Sequence, residues 1–227
     1  MSAKGRVKVI SEALPPPAGT AYPEGVTLRA VKRTKRKKLD FYETPAWAVD
    51  AVVPHIPFPA AGLVVDAGAG TGAIAEAVGR HHRNLEIIAV ELQQDLIDKG
   101  RARGVYACEF VKANFETWVI ERSAPDIVIM NPPYSRAIEF IRRAMQIVKR
   151  GGHVAALLRL GFMASHSRTE FHDKHPARVL ILNRRPSFTG DGCTDASDYA
   201  WFVWGSTIEK STWSVLHIPR PRRTGKK

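Results

Sequence analysis

The stretch that most restricts the fold is Gly62-Leu63-Val64-Val65-Asp66, followed at once by Ala67-Gly68-Ala69-Gly70-Thr71-Gly72. An apolar run between a glycine and an acid reads as a strand buried on both faces. The alternating glycines end that strand in a turn that small residues tolerate best, and residues 73–81 then read as a helix. A buried strand feeding a glycine-rich turn and a helix is the opening unit of a parallel α/β sheet, because a parallel neighbour is reached only through a crossover. Gly68, Gly70 and Gly72 follow a G-x-G-x-G spacing, without the third glycine position of the dinucleotide fingerprint. They permit close backbone approach and place a helix N-terminus beside a ligand.

The same alternation continues along the chain. Glu86–Val90 predicts a second strand, 107–111 a third, Ile127–Met130 a fourth, His153–Leu158 a fifth, Val179–Leu182 a sixth and Tyr199–Trp204 a seventh. Thr44 as N-cap with Pro45 at the first helical position predicts a helix over 46–53, stopped by Pro54, Pro57 and Pro59. A third helix is expected over 135–149 with Gly151-Gly152 as its C-cap, and Ser167-Arg168-Thr169-Glu170 reads as a capping box opening a short fourth one. The expected architecture is α/β: a Rossmann-like seven-stranded sheet with helices on both faces, spanning residues 39–217. Trp201, Phe202 and Trp204 in the last strand read as core. The polar loop 183–198 exceeds a usual connection, which favours a role in substrate contact.

Three strand ends carry polar groups. The fourth strand stops in Asn131-Pro132-Pro133-Tyr134, where two prolines forbid helix and ladder alike and stiffen the turn. What remains there is a set of carbonyl acceptors, one carboxamide and one aromatic ring, at the edge where open α/β sheets bind ligands. Glu91, at the end of the second strand and about 20 residues beyond the glycine turn, is placed to accept both hydroxyls of a ribose. Asn114 and Phe115 follow the third strand, where an amide and a ring could hold a purine, although turn chemistry alone also selects Asn there.

Charge adds a partner class. The chain has 34 Lys+Arg against 22 Asp+Glu, a formal +12. Such an excess favours a polyanion, and nucleic acid ranks before membrane because no long apolar segment accompanies the charge. Lys32, Arg33, Lys35, Arg36, Lys37 and Lys38 form a basic run that closes an arm over residues 1–38, and residues 218–227 form a second basic tail. No apolar run approaches the roughly 18 residues of a spanning helix, and no signal segment is read at the N-terminus. Cys108 and Cys193 have no metal spacing and suit a reduced cytoplasm. His166, His172 and His175 lack companion cysteines or clustered carboxylates, so no metal is expected.

Taken together, these stretches resemble the class I S-adenosylmethionine-dependent methyltransferases of the amino-methylating group. The likeness covers roughly residues 40–205, and the nearest members are the small DNA adenine-N6 methyltransferases of phages and prophages. Asn131 to Tyr134 match that family's catalytic [DNS]-PP-[YFW] motif at every position. Phe41-Tyr42-Glu43-Thr44-Pro45 resembles the motif over the methionine part of the cofactor, so the resemblance assigns Tyr42, Thr44 and Pro45 to cofactor binding. It assigns the same role to Asp66, Ala67, Gly68, Gly70 and Gly72 of the main loop, to Glu91 with Leu92, and to Asn114 and Phe115. Asn114 departs from the family's usual Asp. No stretch is long enough for a target-recognition domain, so relaxed or short sequence specificity is expected, with the 183–198 loop (Arg184 and Arg185 included) and the basic termini left to contact DNA.

The resemblance implies that the Asn131 oxygen and the Pro132 carbonyl hold the two amino hydrogens of adenine while Tyr134 stacks on the base. RNA adenine methylation, glutamine methylation of a release factor, and a catalytically silent nucleic-acid-binding module of this fold are the rival readings. Cytosine-N4 methylation uses the same chemistry, more often with Ser in place of Asn131. Deleting residues 1–38 is expected to weaken DNA binding in a strongly salt-dependent way, because those cations displace counterions from phosphates. Titrations at two salt concentrations check this, and unchanged low-salt affinity would discard the arm's role.

Overall fold

A computed structural model describes residues 43–104, 108–188, 194 and 196–219. Its eight strands form one sheet in the order β3-β2-β1-β4-β5-β7-β6-β8. β1 is Gly62–Ala67, β2 Leu85–Glu91, β3 Cys108–Lys112, β4 Ile127–Met130, β5 His153–Arg159, β6 Arg178–Leu182, β7 Tyr199–Gly205 and β8 Thr212–Leu216. β1 to β5 run parallel, and β7 alone is antiparallel to its neighbours β5 and β6. The helices are α1 Ala46–Val52, α2 Ala73–His81, α3 Gln94–Ala102, α4 Ala137–Ile147 and α5 Thr169–Lys174.

The central strands are buried on both faces, as their continuous apolar runs require. On one face α4 presents Phe140, Ile141, Ala144 and Ile147 at helical spacing to Val65, Val128, Val154 and Ala156, and Phe171 of α5 joins the same cluster. On the other, α1 and α2 pack Val49, Val52, Ile74 and Val78 against Val64, Ile87, Ile129 and Leu157. Trp201 ties α1 to the sheet through its indole N–H, which donates to the Ala48 carbonyl at 2.8 Å. Trp201, Phe202 and Trp204 are all buried, as their place in the strand suggested.

Several expectations change. The sheet has eight strands rather than seven: β8 pairs in parallel with β6, and four of its five residues are exposed. α3, a mostly polar helix, was not anticipated. Thr44 does not cap α1; Pro45 occupies the N-cap position in an extended conformation, with no side-chain cap bond. The helix expected over 135–149 begins with a 3-10 turn over Tyr134–Arg136 and ends at Ile147, because Val148 turns extended. Gly151, at φ 83°, therefore serves the turn into β5 and not the helix end. The capping box at 167–170 does not form: Ser167 Oγ lies 2.9 Å from Ser165 Oγ, Glu170 pairs with Lys174, and Arg168 holds the N-cap position.

α3 is seated by Gly100. A Cβ at that position would lie 2.4 Å from the Phe110 ring and 2.8 Å from the Thr71 carbonyl oxygen. The backbone oxygen cannot yield as a flexible side chain could. Gly100→Ala is therefore expected to destabilise the fold by about 1–3 kcal/mol, the usual cost of overpacking, readable as a lower midpoint in urea denaturation.

Candidate active site

Register brings three turns side by side. Ala67, the last residue of β1, pairs with Val90 of β2 and with Met130 of β4. Gly68, Glu91 and Asn131 each follow one of those residues, so they emerge together at the C-terminal edge of the sheet, where the strands' last side chains no longer face a core. Gly68, Gly70 and Gly72 have φ of 69°, 57° and 78°, a left-handed conformation that glycine alone adopts without strain.

The amides of this loop point inward. Gly68 and Ala69 N–H both donate to the Val90 carbonyl, Gly72 N–H donates to Ala69, and Ala75 N–H donates to Asp66 Oδ2 at 3.1 Å. Gly70 N–H donates to Glu91 Oε2 at 2.8 Å, while Glu91 Oε1 accepts from the Leu92 and Gln93 amides at 2.8 and 2.9 Å. A phosphate cradle would aim such amides at its ligand. Here they hold the loop to β2, and Glu91, although 7% exposed, remains at the rim of the edge. Leu92 beside it is 55% exposed, an apolar surface next to the carboxylate.

The Asn131 turn faces this loop. Asn131 Nδ2 donates to Thr44 Oγ1 at 3.1 Å, and the Tyr134 hydroxyl donates to Asn131 Oδ1 at 3.2 Å. The guanidinium of Arg159, at the end of β5, sits 4.9 Å over the Tyr134 ring. Tyr199 accepts from Arg159 Nε at 3.4 Å and lies ring to ring with Tyr134 at 5.8 Å, and Phe188 packs edge-on against Tyr199. A bidentate pair of Arg136 with Glu116 joins this turn to the one after β3.

The structure thus gathers Thr44, Gly68, Gly70, Gly72, Glu91, Leu92, Asn131, Pro132, Pro133 and Tyr134 at one edge. Asp66 lies fully buried beneath the loop, and Ala67 is likewise buried. Asn114 is exposed, and its Oδ1 accepts the Glu116 N–H at 3.1 Å while its carbonyl takes two more amides, which is the turn role. Phe115 is corrected: at 2% exposure its ring is packed in the core, 5.3 Å from Phe140, and is not open at the edge. Arg184 stacks 4.7 Å over Trp47, and Arg185 pairs with Asp198 at 2.8 Å, closing the base of the 183–198 loop. Tyr42, the cations at 32–38, Cys193 and most of the tail lie outside the described residues. Arg159, Tyr199 and Phe188 were missed. Arg159 had a signal, a charge ending a buried strand at the ligand edge, the same reasoning that found Glu91. No group of three or more metal-ligating side chains occurs among the described residues, and none of their helices is long and apolar enough to cross a membrane.

Residues 64–152 match the family model described as a methyltransferase domain. Over 90 residues the chain is 32% identical to the release factor glutamine methyltransferase of Aliivibrio fischeri, a match covering 38% of this chain and 31% of that enzyme. The fold matches a predicted O-methyltransferase of Agrobacterium tumefaciens with a TM-score of 0.59 at 20% identity, over 76% of this chain and 86% of the other. It also matches a dimethyladenosine transferase of Plasmodium falciparum with a TM-score of 0.55 at 15% identity, over 73% and 62% of the two chains. The fold is that of the class I methyltransferases, a mixed α/β Rossmann-like architecture. Class I methyltransferases bind S-adenosylmethionine, the cofactor expected from the sequence.

Two ionisable groups under the edge are shifted by burial. Burial, with a smaller contribution from Glu91, pushes the Asp66 carboxyl up to about 7 despite the Ala75 N–H, and its Oδ1 has no partner among the described residues. The Cys108 thiol is pushed up to about 12, first by burial and then by Asp66, which leaves it protonated and inert. For Asp66 the folded form keeps a proton that the unfolded chain releases near pH 4. Stability from this group is therefore full below that pH and falls as pH rises towards 7. Relative to Asp66→Asn, the wild-type protein is expected to lose on the order of 2–3 kcal/mol between pH 5 and pH 8. Paired denaturation curves at those pH values measure the difference.

Proposed function

We propose that this chain transfers a methyl group from S-adenosylmethionine to the N6 amino group of adenine in DNA, with relaxed or short sequence specificity. The observation that carries the reading is the Asn131 carboxamide, one residue beyond the strand pair that joins β4 to the glycine loop, with Tyr134 beside it. A polar acceptor on a proline-stiffened turn, adjoining a cofactor-type loop, suits a substrate nitrogen that must be oriented.

The residues fit the cofactor. Inward amides make the loop unsuited to phosphate and suited to a ligand without one, and Glu91, whose two oxygens already take three backbone N–H groups, keeps one lone pair for a ribose hydroxyl. Leu92 supplies exposed apolar surface to a purine face. Bound there, the cofactor supplies an electrophilic methyl group.

The chain's own contribution is orientation. Adenine's amino nitrogen is a weak nucleophile because its lone pair is delocalised into the ring. Asn131 Oδ1 and the Pro132 carbonyl accept the two amino hydrogens and draw the nitrogen towards a tetrahedral shape. Oδ1 already accepts from the Tyr134 hydroxyl; with two lone pairs it can share that bond or exchange it for the amino hydrogen. Tyr134, backed by Arg159, offers its ring to the base. A duplex base reaches this turn only when flipped out. The formal +12 charge and the 183–198 loop, anchored by Phe188 beside Tyr199, favour a nucleic acid as the partner.

The release-factor match favours a second reading, methylation of a glutamine side-chain amide, whose nitrogen the same turn could orient. Labelled S-adenosylmethionine with DNA, RNA or a release factor, followed by digestion, identifies the methylated residue; N6-methyladenine in DNA is the expected product, and label in glutamine or RNA alone overturns the reading. Asn131→Ala is expected to lower turnover at least ~100-fold while cofactor binding persists. Equal loss of both would assign Asn131 to cofactor binding or folding.

A further inference from the structure

A carboxamide has two ends of similar size and opposite hydrogen-bonding sense, so a clamp built on Asn131 works only if its oxygen is kept towards the acceptor. Thr44 meets the nitrogen end of that amide. Its side chain is buried, at 4% exposure, and its Oγ1 accepts from Asn131 Nδ2 at 3.1 Å across 87 residues of sequence. On the opposite side of the amide, Oδ1 takes the Tyr134 hydroxyl.

Thr44 is itself held from the cofactor side. Its neighbour Glu43 pairs with Arg103 at 2.5 Å, and the same Arg103 nitrogen donates to Thr71 Oγ1 at 3.1 Å. Thr71 is a buried member of the glycine loop, and Arg103 follows α3, whose Gly100 closes on the Thr71 carbonyl. Residues 43–45 therefore form a strap with one anchor on the loop and the other on the clamp.

We propose that Thr44 is a positioning residue: it holds the Asn131 carboxamide in place from its nitrogen end, and the Glu43–Arg103–Thr71 chain holds it in register with the glycine loop. The inference rests on the amino-methyltransferase reading and departs from the sequence expectation that Thr44 binds cofactor. Thr44→Val keeps the shape and removes the hydroxyl; Thr44→Ser keeps the hydroxyl. Thr44→Val lowers kcat about 10–100-fold with S-adenosylmethionine affinity unchanged in equilibrium dialysis, and Thr44→Ser recovers most of the rate. Glu43→Gln gives a smaller loss of the same kind.

A second readout needs no turnover. The side-chain amide resonance of Asn131, assigned by its disappearance in Asn131→Asp, shifts in Thr44→Val and stays near its wild-type position in Thr44→Ser. A resonance that does not move in Thr44→Val overturns the positioning role whatever the substrate is. A fall in cofactor affinity matching the fall in kcat also overturns it and makes Thr44 a cofactor ligand. If the resonance moves as stated while the wild-type protein methylates no acceptor, the positioning role stands and the functional reading falls.

Discussion

The edge depends on one carboxylate. Glu91 accepts three backbone N–H groups, one from the glycine loop and two from the turn into α3, so two loops from different crossovers share one set of acceptor lone pairs. Backbone amides at a buried turn must find acceptors, and each one left without a partner costs on the order of 1–3 kcal/mol. Removing Glu91 would release both turns together. Asp66 has a related role in the layer beneath, taking the Ala75 N–H in the first turn of α2, and the full burial of its carboxyl makes it the more costly of the two acids to keep.

From that brace the geometry of the Asn131 side follows. The parallel register fixes Ala67 beside Val90 and Met130, which places the Glu91 brace and the Asn131 turn on either side of the glycine loop. Phe140 of α4 packs on Phe115 and approaches Gly68, where an added Cβ would come within 3.2 Å of its ring. Hydrophobic packing thus decides how closely the loop and the helix after the Asn131 turn approach each other. The side chains of Tyr134, Arg159, Tyr199 and Phe188 build a second, aromatic layer on the outer side of that turn. The glycine loop and the Asn131 turn are then two sides of one edge.

How much was legible in the sequence depended on whether a signal was local. Ile127–Met130 and the glycine turn announce themselves through short apolar runs and residues that restrict φ, and the structure places them where those signals put them. β8 escaped because this edge strand buries only Leu216: Trp213 and Val215 are exposed, so no continuous apolar run marked it. α3 escaped because only Leu96, Ile97 and Gly100 of its nine residues are buried, leaving a sparse stripe in a polar segment. At Ser167 the local rule was satisfied and still lost, since a hydroxyl neighbour and a lysine one turn on took both members of the box.

The sequence by itself determined the class of fold, the order of the turns and the residue types at the ligand edge, because strand burial and the backbone limits of Gly and Pro act over a few residues. Only the tertiary structure decided what the side chains at those turns do. Thr44 reads locally as a helix cap, yet its hydroxyl meets Asn131 across 87 residues of sequence; Phe115 reads as a ring at the edge, yet a helix about 25 residues on draws it into the core. Those outcomes turn on partners brought together by strand register and helix packing, which no local spacing encodes.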